Sequence, residues 1–309
     1  MQILPRDYLI TPEGLAFAVV DSGIEDGQIA CCFRYFQNQD GNWEKISTHD
    51  ATIVLQRDYP QYLFHSKLRD TVIHAVPEEH ILTHRAARDG ITQLQCESKP
   101  ATIRGTARRA IDYLIDDGID RGCLGVSGSL LLGAEKPDSD VDLVCYDESM
   151  FQTVRQLFQH AAGPFTPLTL DDWRETYRRR SCGLPFDNYL WHEQRKHNKA
   201  MIESTKIDIS LVCPSESEDL RAWQKKGKIQ LVTRVTDDSR AFHTPACWKV
   251  AHESVEEVIT YSATYTGHAL LGEKIEIAGL LEQSGSGEQR VIIGQSREAD
   301  GAFIRVVPL

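Results

Sequence analysis

Two aspartates lie one residue apart in an apolar run of the segment GVSGSLLLGAEKPDSDVDLVCY, residues 125–146. Because side chains alternate between the two faces of a strand, Asp140 and Asp142 share one predicted face, and Val141 and Leu143 share the other. Two carboxylates this close raise each other's pKa unless a cation neutralises them. Mg²⁺ prefers a few protein carboxylates, with water and substrate phosphates as its other ligands. The pair therefore indicates either a divalent-cation site or an incidental pair at a solvated sheet edge.

A third carboxylate lies in a later segment with the same alternation, TKIDISLVC at residues 205–213. Asp208 falls on the face opposite to the apolar residues of this predicted strand. If this strand lies beside the first, Asp208 completes a cluster of three carboxylates. The segment that separates it from Asp142 is long, so Glu203 is an alternative third acid.

Gly128 and Ser129 lie at the predicted start of a helix, between the short strand CLGVSG and the aspartate pair. The free N–H groups and the positive dipole end of a helix N-terminus favour anions. Glycine lets the backbone approach a ligand closely, and a serine hydroxyl can donate a hydrogen bond to a phosphate oxygen. The unit therefore predicts a phosphate-binding step followed by a metal-binding pair, and a glycine that only eases a turn is the simpler alternative.

Hydrophobic patterning divides the chain into three regions, 1–98, 99–215 and 216–309. The first contains short apolar runs typical of strands, among them ATIVLQ at residues 51–56. The middle region alternates helical and strand patterns, and it includes a helix predicted over FDNYLWHEQRKHNKAMIES at residues 186–204. The last region returns to short strands and predicts a small barrel or sandwich. The expected fold class is α/β (α+β), with β-rich regions on both sides of a mixed core.

The step VSGS, ten intervening residues and the triplet DVDL resemble the signature of the polymerase-β-like nucleotidyltransferase superfamily. The resemblance covers residues 100–213, and the flanking regions also resemble predicted nucleotidyltransferases of archaea and related microbes. By position, Gly128 and Ser129 match the phosphate-binding step, Asp140 and Asp142 match the metal-binding pair, and Asp208 matches the third carboxylate.

The resemblance implies a mixed sheet with flanking helices and a nucleoside triphosphate substrate bound with two Mg²⁺ (or Mn²⁺) ions. It also implies transfer of a nucleoside monophosphate to an acceptor hydroxyl with release of pyrophosphate. In the family the third carboxylate helps to deprotonate that hydroxyl. An RNA 3′ end, a protein hydroxyl and a small molecule are all acceptors for this core, because site chemistry is separable from fold.

Two basic segments, YRRRS at residues 177–181 and HEQRKHNK at residues 192–199, stand out in an acidic chain. Arg195 and Lys199 are four residues apart, which places them on one face of the predicted helix. They are candidates for contact with the triphosphate or with an RNA backbone. A solvated helix face is the alternative for each of them.

Composition excludes several classes of protein. A net charge of −11 argues against a protein that coats long nucleic acid. Eight cysteines without a CxxC pair argue against a disulfide framework and a structural zinc site. The chain lacks a signal-peptide pattern at its start, and no window approaches the roughly 20 apolar residues that span a bilayer. We therefore expect a cytoplasmic protein that does not associate with membranes.

Two other functions compete with catalysis. One is a non-catalytic nucleotide- or RNA-binding module that keeps the fold. The other is an interaction subunit of a toxin–antitoxin or RNA-processing assembly, with the β-rich regions as docking surfaces. The basic segments favour an RNA acceptor and the negative net charge favours a small-molecule or protein acceptor, so the sequence leaves the acceptor open. It also leaves open the base preference and the oligomeric state.

Overall fold

The computed structural model describes residues 2–95, 102–180, 182–213, 221–294 and 301–307. Within these residues the chain is mixed α and β, with three sheets and seven α-helices. The expected α/β (α+β) class is therefore confirmed at this level. The two predicted region boundaries, after residues 98 and 215, lie outside the described residues, and the three-domain division stays a prediction.

The chain forms two compact units. Unit 1 comprises Met1–Phe64, Ile73–Leu168 and His197–Glu216, and unit 2 comprises His65–Val72, Thr169–Lys196 and Ser217–Leu309. The helices of the described ranges are α1 (Thr48–Asp58), α2 (Ala87–Gln95), α3 (Ile103–Asp116), α4 (Gly128–Leu132), α5 (Glu148–Gln159), α6 (Leu170–Arg178) and α7 (Phe186–Gln194). Helices α6 and α7 belong to unit 2. The chain between Asp142 and Asp208 therefore includes a range, Thr169–Lys196, that is assigned to unit 2, while both aspartates are assigned to unit 1.

An antiparallel sheet is built from the N-terminal strands. They are β1 (Tyr8–Ile10), β2 (Leu15–Glu25), β3 (Gln28–Gln37), β4 (Trp43–Lys45), β5 (Leu63–Ser66), β6 (Thr71–Pro77) and β7 (Thr83–Arg85). The strand order is β5-β6-β3-β2-β1-β7, with β4 also paired to β3. The abundance of strands expected for this region is confirmed.

The run ATIVLQ forms part of α1, so the strand predicted for it is wrong. The hydroxyl of Ser47 accepts a hydrogen bond from the Asp50 N–H and caps the start of this helix. Its buried side chains, Ala51 and Leu55, are four residues apart, which is the spacing of one helical face. Capping and burial on one face outweigh the strand preference of the β-branched residues between them.

A four-stranded sheet forms the centre of unit 1. Its strands are β8 (Leu124–Val126), β9 (Val141–Cys145), β10 (Lys199–Ile202) and β11 (Thr205–Leu211). The order is β10-β11-β9-β8, with β11 and β9 parallel and the other pairs antiparallel. In β9, Val141 and Leu143 are buried while Asp142 is partly exposed, as the alternation predicts.

The helix predicted over residues 186–204 is too long. Helix α7 ends at Gln194, and the chain continues into β10, which pairs with β11. His197 has a φ of 52°, in the left-handed region, which is incompatible with continuing the helix. Arg195 and Lys199 therefore do not share a helical face, and that prediction is wrong.

A shared apolar cluster packs the N-terminal sheet against the elements that carry the aspartates. Tyr8 of β1 and Tyr35 of β3 belong to it, together with Leu131 of α4 and Val144 of β9. All of these residues are in unit 1. The N-terminal sheet therefore packs against α4 and β9.

Unit 2 contains the remaining strands. They are β12 (Trp223–Asp237), β13 (Ala246–Val250), β14 (Glu257–Thr260), β15 (Lys274–Ser284), β16 (Gln289–Ile293) and β17 (Phe303–Val306). The order is β12-β13-β14-β16-β15-β17, and a further pairing of β12 with β15 closes five of the strands into a ring around the fully buried Trp248. Of the two alternatives that the pattern left open, a small barrel or a sandwich, this closed pairing corresponds to the barrel. In the described ranges no helix has the length and apolar content to cross a membrane.

Candidate functional site

The parallel pairing of β9 and β11 brings two of the predicted acids together. Asp142 and Asp208 are directly opposite each other in the register of the two strands. Asp140 is the residue before β9, two positions from Asp142, so it lies on the same face. The expected adjacency of the two acid-bearing strands is confirmed, and the three carboxylates stand at one place on the sheet.

The Gly-Ser step lies against Asp142. Gly128 has a φ of 65°, and a Cβ at this position would stand 2.2 Å from Asp142 Oδ2. The N–H of Ser127 donates to the Asp142 carbonyl at 2.9 Å. A glycine is therefore required here for two reasons, because the backbone is left-handed and because the carboxylate occupies the space of a side chain. Ser129 follows in α4 and is partly exposed.

Positive charge balances part of the acid cluster. The ammonium of Lys206 stands 2.8 Å from Asp140 Oδ2 and 4.0 Å from Asp208 Oδ2. Burial raises the pKa of the Asp142 carboxyl, and the Asp208 and Asp140 carboxylates raise it further. The charges of Arg6 and Lys206 oppose this rise. Asp142 is thus a carboxyl whose ionised form is disfavoured by its surroundings unless more positive charge is supplied.

The donor set is suited to a hard divalent cation, although the present arrangement does not converge on one. Among the described residues, no group of three or more His, Cys, Asp or Glu side chains is arranged to hold a metal ion. Lys206 lies between two of the acids and carries the charge that a cation would otherwise supply there. The carboxylate oxygens and the raised pKa of Asp142 fit Mg²⁺ or Mn²⁺, provided that the Lys206 ammonium moves away from Asp140.

The two basic site candidates have separate positions. Lys199 is the cross-strand neighbour of Asp208 in the β10–β11 pair, so it belongs to the face that carries the acids. Arg195 is in unit 2, where its guanidinium binds Glu273 and lies 4.3 Å from the ring centroid of Trp191. The structure therefore brings Lys199 to the acid cluster of unit 1, and Arg195 belongs to unit 2.

The alternative third acid, Glu203, is not part of the cluster. It lies in the turn between β10 and β11, and its carboxylate accepts a hydrogen bond from Arg109 at 3.1 Å. The two strands pair from Lys199 and Asp208 at one end to Ile202 and Thr205 at the turn. Glu203 is thus at the far end of the hairpin from Asp208, which leaves Asp208 as the third carboxylate.

Sequence reasoning missed two contributors to this site. Lys206 shares the face of Asp208 by the alternation of β11, and this was a usable signal. Arg6 affects the pKa of Asp142 although more than a hundred residues separate them in the sequence. No local pattern predicts that contact.

The chain is similar along almost its whole length to the uncharacterized protein MJ1086 of Methanocaldococcus jannaschii. The two are 26% identical over 338 residues, covering 99% of each chain. No protein-family model matches the chain, and no solved structure gives a significant match. The similarity therefore extends through both β-rich regions and the segment between them.

Proposed function

We propose that the protein is a metal-dependent nucleotidyltransferase, which moves a nucleoside monophosphate from a nucleoside triphosphate to an acceptor hydroxyl and releases pyrophosphate. One observation carries this proposal. Asp142 and Asp208 are opposite each other on neighbouring parallel strands, and the backbone of Gly128 lies against the Asp142 carboxylate. The resemblance to the polymerase-β-like superfamily implies a mixed sheet with three carboxylates beside a Gly-Ser step, and this arrangement agrees with it.

The three acids would hold the cation. Mg²⁺ or Mn²⁺, as two ions, supplies positive charge for the triphosphate and for the attacking and leaving oxygens when bound. Asp140 and Asp142 would be ligands of the ions, and Asp208 would also bind an ion and would accept the proton of the acceptor hydroxyl. The acceptor oxygen forms a bond to the α-phosphorus as the bond from that phosphorus to the pyrophosphate oxygen breaks.

Polar groups beside the acids would bind the phosphates. The N–H groups of the Gly128–Ser129 step and the Ser129 hydroxyl donate to the β- and γ-phosphates. Lys206, once released from Asp140, and Lys199 are cations on the same face of the sheet. Each is therefore a candidate for contact with an oxygen of the triphosphate. A role for Arg195 in nucleotide binding stays a prediction.

The test is transfer of label from each α-³²P-labelled nucleoside triphosphate in the presence of Mg²⁺ or Mn²⁺ and a mixture of cellular RNA and protein. We expect labelled product from the wild type and none from Asp142→Asn. Asp112→Asn is the matched control, because Asp112 is an exposed acid of the same unit that pairs with Arg108. Sensitivity of the product to RNase or to protease identifies the acceptor class.

Wild-type activity in the Asp142→Asn variant would refute the assignment of the site. A loss of activity in Asp112→Asn equal to that in Asp142→Asn would show that the assay reports folding and not chemistry. A product that resists both RNase and protease points to a small-molecule acceptor.

A non-catalytic nucleotide-binding module is the second candidate, and the position of Lys206 favours it. The ammonium between Asp140 and Asp208 supplies positive charge at a place where turnover would need a metal ion. Metal-dependent binding of a nucleoside triphosphate without label transfer, in the wild type and in Lys206→Met alike, would support this function over catalysis.

A further inference from the structure

Two arginines of the N-terminal sheet occupy irregular backbone. Arg6, just before β1, has a φ of 79°, in the left-handed region that residues other than glycine rarely adopt. Arg34 lies where the register of β3 against β2 shifts, and its two neighbours in β3 pair with consecutive residues of β2. Such a bulge redirects a side chain, and left-handed residues other than glycine cluster at functional sites. Both irregularities therefore call for a reason other than stability.

The main chain of Arg6 is fixed to the candidate site. Its N–H donates to the Val19 carbonyl at 3.0 Å, and its own carbonyl accepts from Ser127 Oγ at 2.6 Å. Ser127 immediately precedes Gly128, and its N–H donates to the Asp142 carbonyl. A continuous set of hydrogen bonds thus connects the strained residue to the strand that carries the acids.

The charges of both arginines act on the same group of side chains. The Arg6 guanidinium opposes the rise in the pKa of Asp142 that burial causes. Burial raises the pKa of Tyr35; the Asp142 carboxylate adds to that rise and Arg34 opposes it. Tyr8, which contacts Tyr35 edge to face, also feels Asp142 and both arginines. Arg6 and Arg34 lie two residues before Tyr8 and one residue before Tyr35, and both tyrosines pack in one apolar cluster with Leu131 of α4 and Val144 of β9.

The guanidinium groups of Arg6 and Arg34 make no polar contact within the described ranges. Both side chains are partly buried, and across the described ranges neither guanidinium forms an ion pair or a hydrogen bond. By contrast, Lys206 of the same site pairs with Asp140. Partly buried guanidinium groups beside a site, with their donors unused, are suited to a planar or tetrahedral anion, and arginine is the preferred ligand of phosphate oxygens.

We propose that Arg6 and Arg34 bind a phosphate group of the substrate, so that the N-terminal sheet forms one wall of the active site. The acids of the central sheet take the cation, and the two arginines take the anion that accompanies it. The inference rests on the proposed function for the identity of that anion, which is the pyrophosphate part of a nucleoside triphosphate. It assigns to the N-terminal region a role in substrate binding.

The test is calorimetric titration of the full-length protein with inorganic pyrophosphate in the presence of Mg²⁺. We expect Arg6→Gln and Arg34→Gln each to weaken binding by about 10- to 100-fold, the range that corresponds to a hydrogen bond with a charged group. Arg57→Gln is the control, since Arg57 is an exposed arginine of the same unit that pairs with Asp58, and it should bind as the wild type does. Equal binding in all four proteins, or no binding by the wild type, would overturn the inference.

A glycine variant separates binding from stability. Arg6→Gly removes the guanidinium but suits a φ of 79°, so we expect a melting temperature no lower than that of the wild type together with weaker pyrophosphate binding. A purely structural arginine would give the reverse result, a lower melting temperature with unchanged binding, and that result would refute the inference.

The readout does not depend on turnover. Arginine-dependent pyrophosphate binding in a protein that transfers no label would support the anion site and reject the transferase. Label transfer that is unaffected in the Arg6→Gln, Arg34→Gln double variant would reject the anion site and keep the transferase.

Discussion

Replacement of Gly128 by alanine tests the geometry of the site most directly. The new Cβ would stand 2.2 Å from Asp142 Oδ2 and 3.1 Å from its Cγ. Because non-bonded atoms do not approach so closely, the carboxylate would have to move by about 1 Å. A displacement of that size is enough to disturb both a cation site and the alignment of a reacting group. We therefore expect loss of stability and loss of label transfer from one methyl group.

The magnitude has two parts. A left-handed φ costs a residue with a Cβ about 1–2 kcal/mol, and forcing a packed group aside costs about 1–3 kcal/mol. We expect Gly128→Ala to lower the free energy of unfolding by about 2–5 kcal/mol. Gly41→Ala is the matched control, because Gly41 has a φ of 78° in the same unit and nothing lies within 4 Å of its added Cβ. It should show the backbone cost alone.

Urea denaturation of the two variants measures the difference. The cost of Gly128→Ala should fall towards that of Gly41→Ala when it is introduced into Asp142→Ala, where the carboxylate is absent. Equal costs for the two glycines in the wild-type background would refute the close contact with Asp142. So would a cost at Gly128 that does not change when the Asp142 carboxylate is removed.

Three further predictions follow from the charges. Lys206→Met should increase the rise in melting temperature that Mg²⁺ causes, because no ammonium then competes with the cation for Asp140; an unchanged rise would contradict this. Without divalent metal, Asp142→Asn should be more stable than the wild type at neutral pH, because the raised pKa of the Asp142 carboxyl means that folding opposes its ionisation. The difference in stability should vanish as the pH falls below about 4, where the carboxyl is protonated in the unfolded state as well. Burial lowers the pKa of His74 and of His192 to about 4, so stability should fall as the pH drops from 6.5 towards 4. Replacing either histidine by glutamine should flatten that part of the urea-midpoint profile, and an unaltered profile would count against its burial as the cause.

The acid-bearing strands could be predicted because their pattern is local. Alternation along residues 140–145 and 205–211 assigns each residue to a face without reference to the rest of the chain. The apolar faces of both strands, with Val141 and Ile207 among them, are buried as expected. The same reasoning failed where one segment carried both strand and helix signals. The run that became α1 has β-branched residues and a helical capping residue, and only burial of Ala51 and Leu55 decides between them.

The basic segment shows a second limit. Residues 192–199 are polar and good helix formers, so propensity alone continues the helix through them. The chain instead turns at His197 and enters β10, because pairing with β11 satisfies the backbone of residues 199–202. The prediction that Arg195 and Lys199 share a face depended on the helix predicted over residues 186–204. Since that helix ends at Gln194, the prediction is wrong as well.

The sequence by itself determined which carboxylates share a face, because the face of a strand residue depends on neighbours a few residues away, and it predicted the step that would accept a phosphate. The tertiary structure decided that Asp142 and Asp208 are opposite each other, that Lys206 lies between Asp140 and Asp208, and that Arg6 reaches the same site. These relations depend on which strands pair and on which sheet packs against them. Pairing and packing are settled by the burial of apolar faces over the whole unit, and no short segment contains that information.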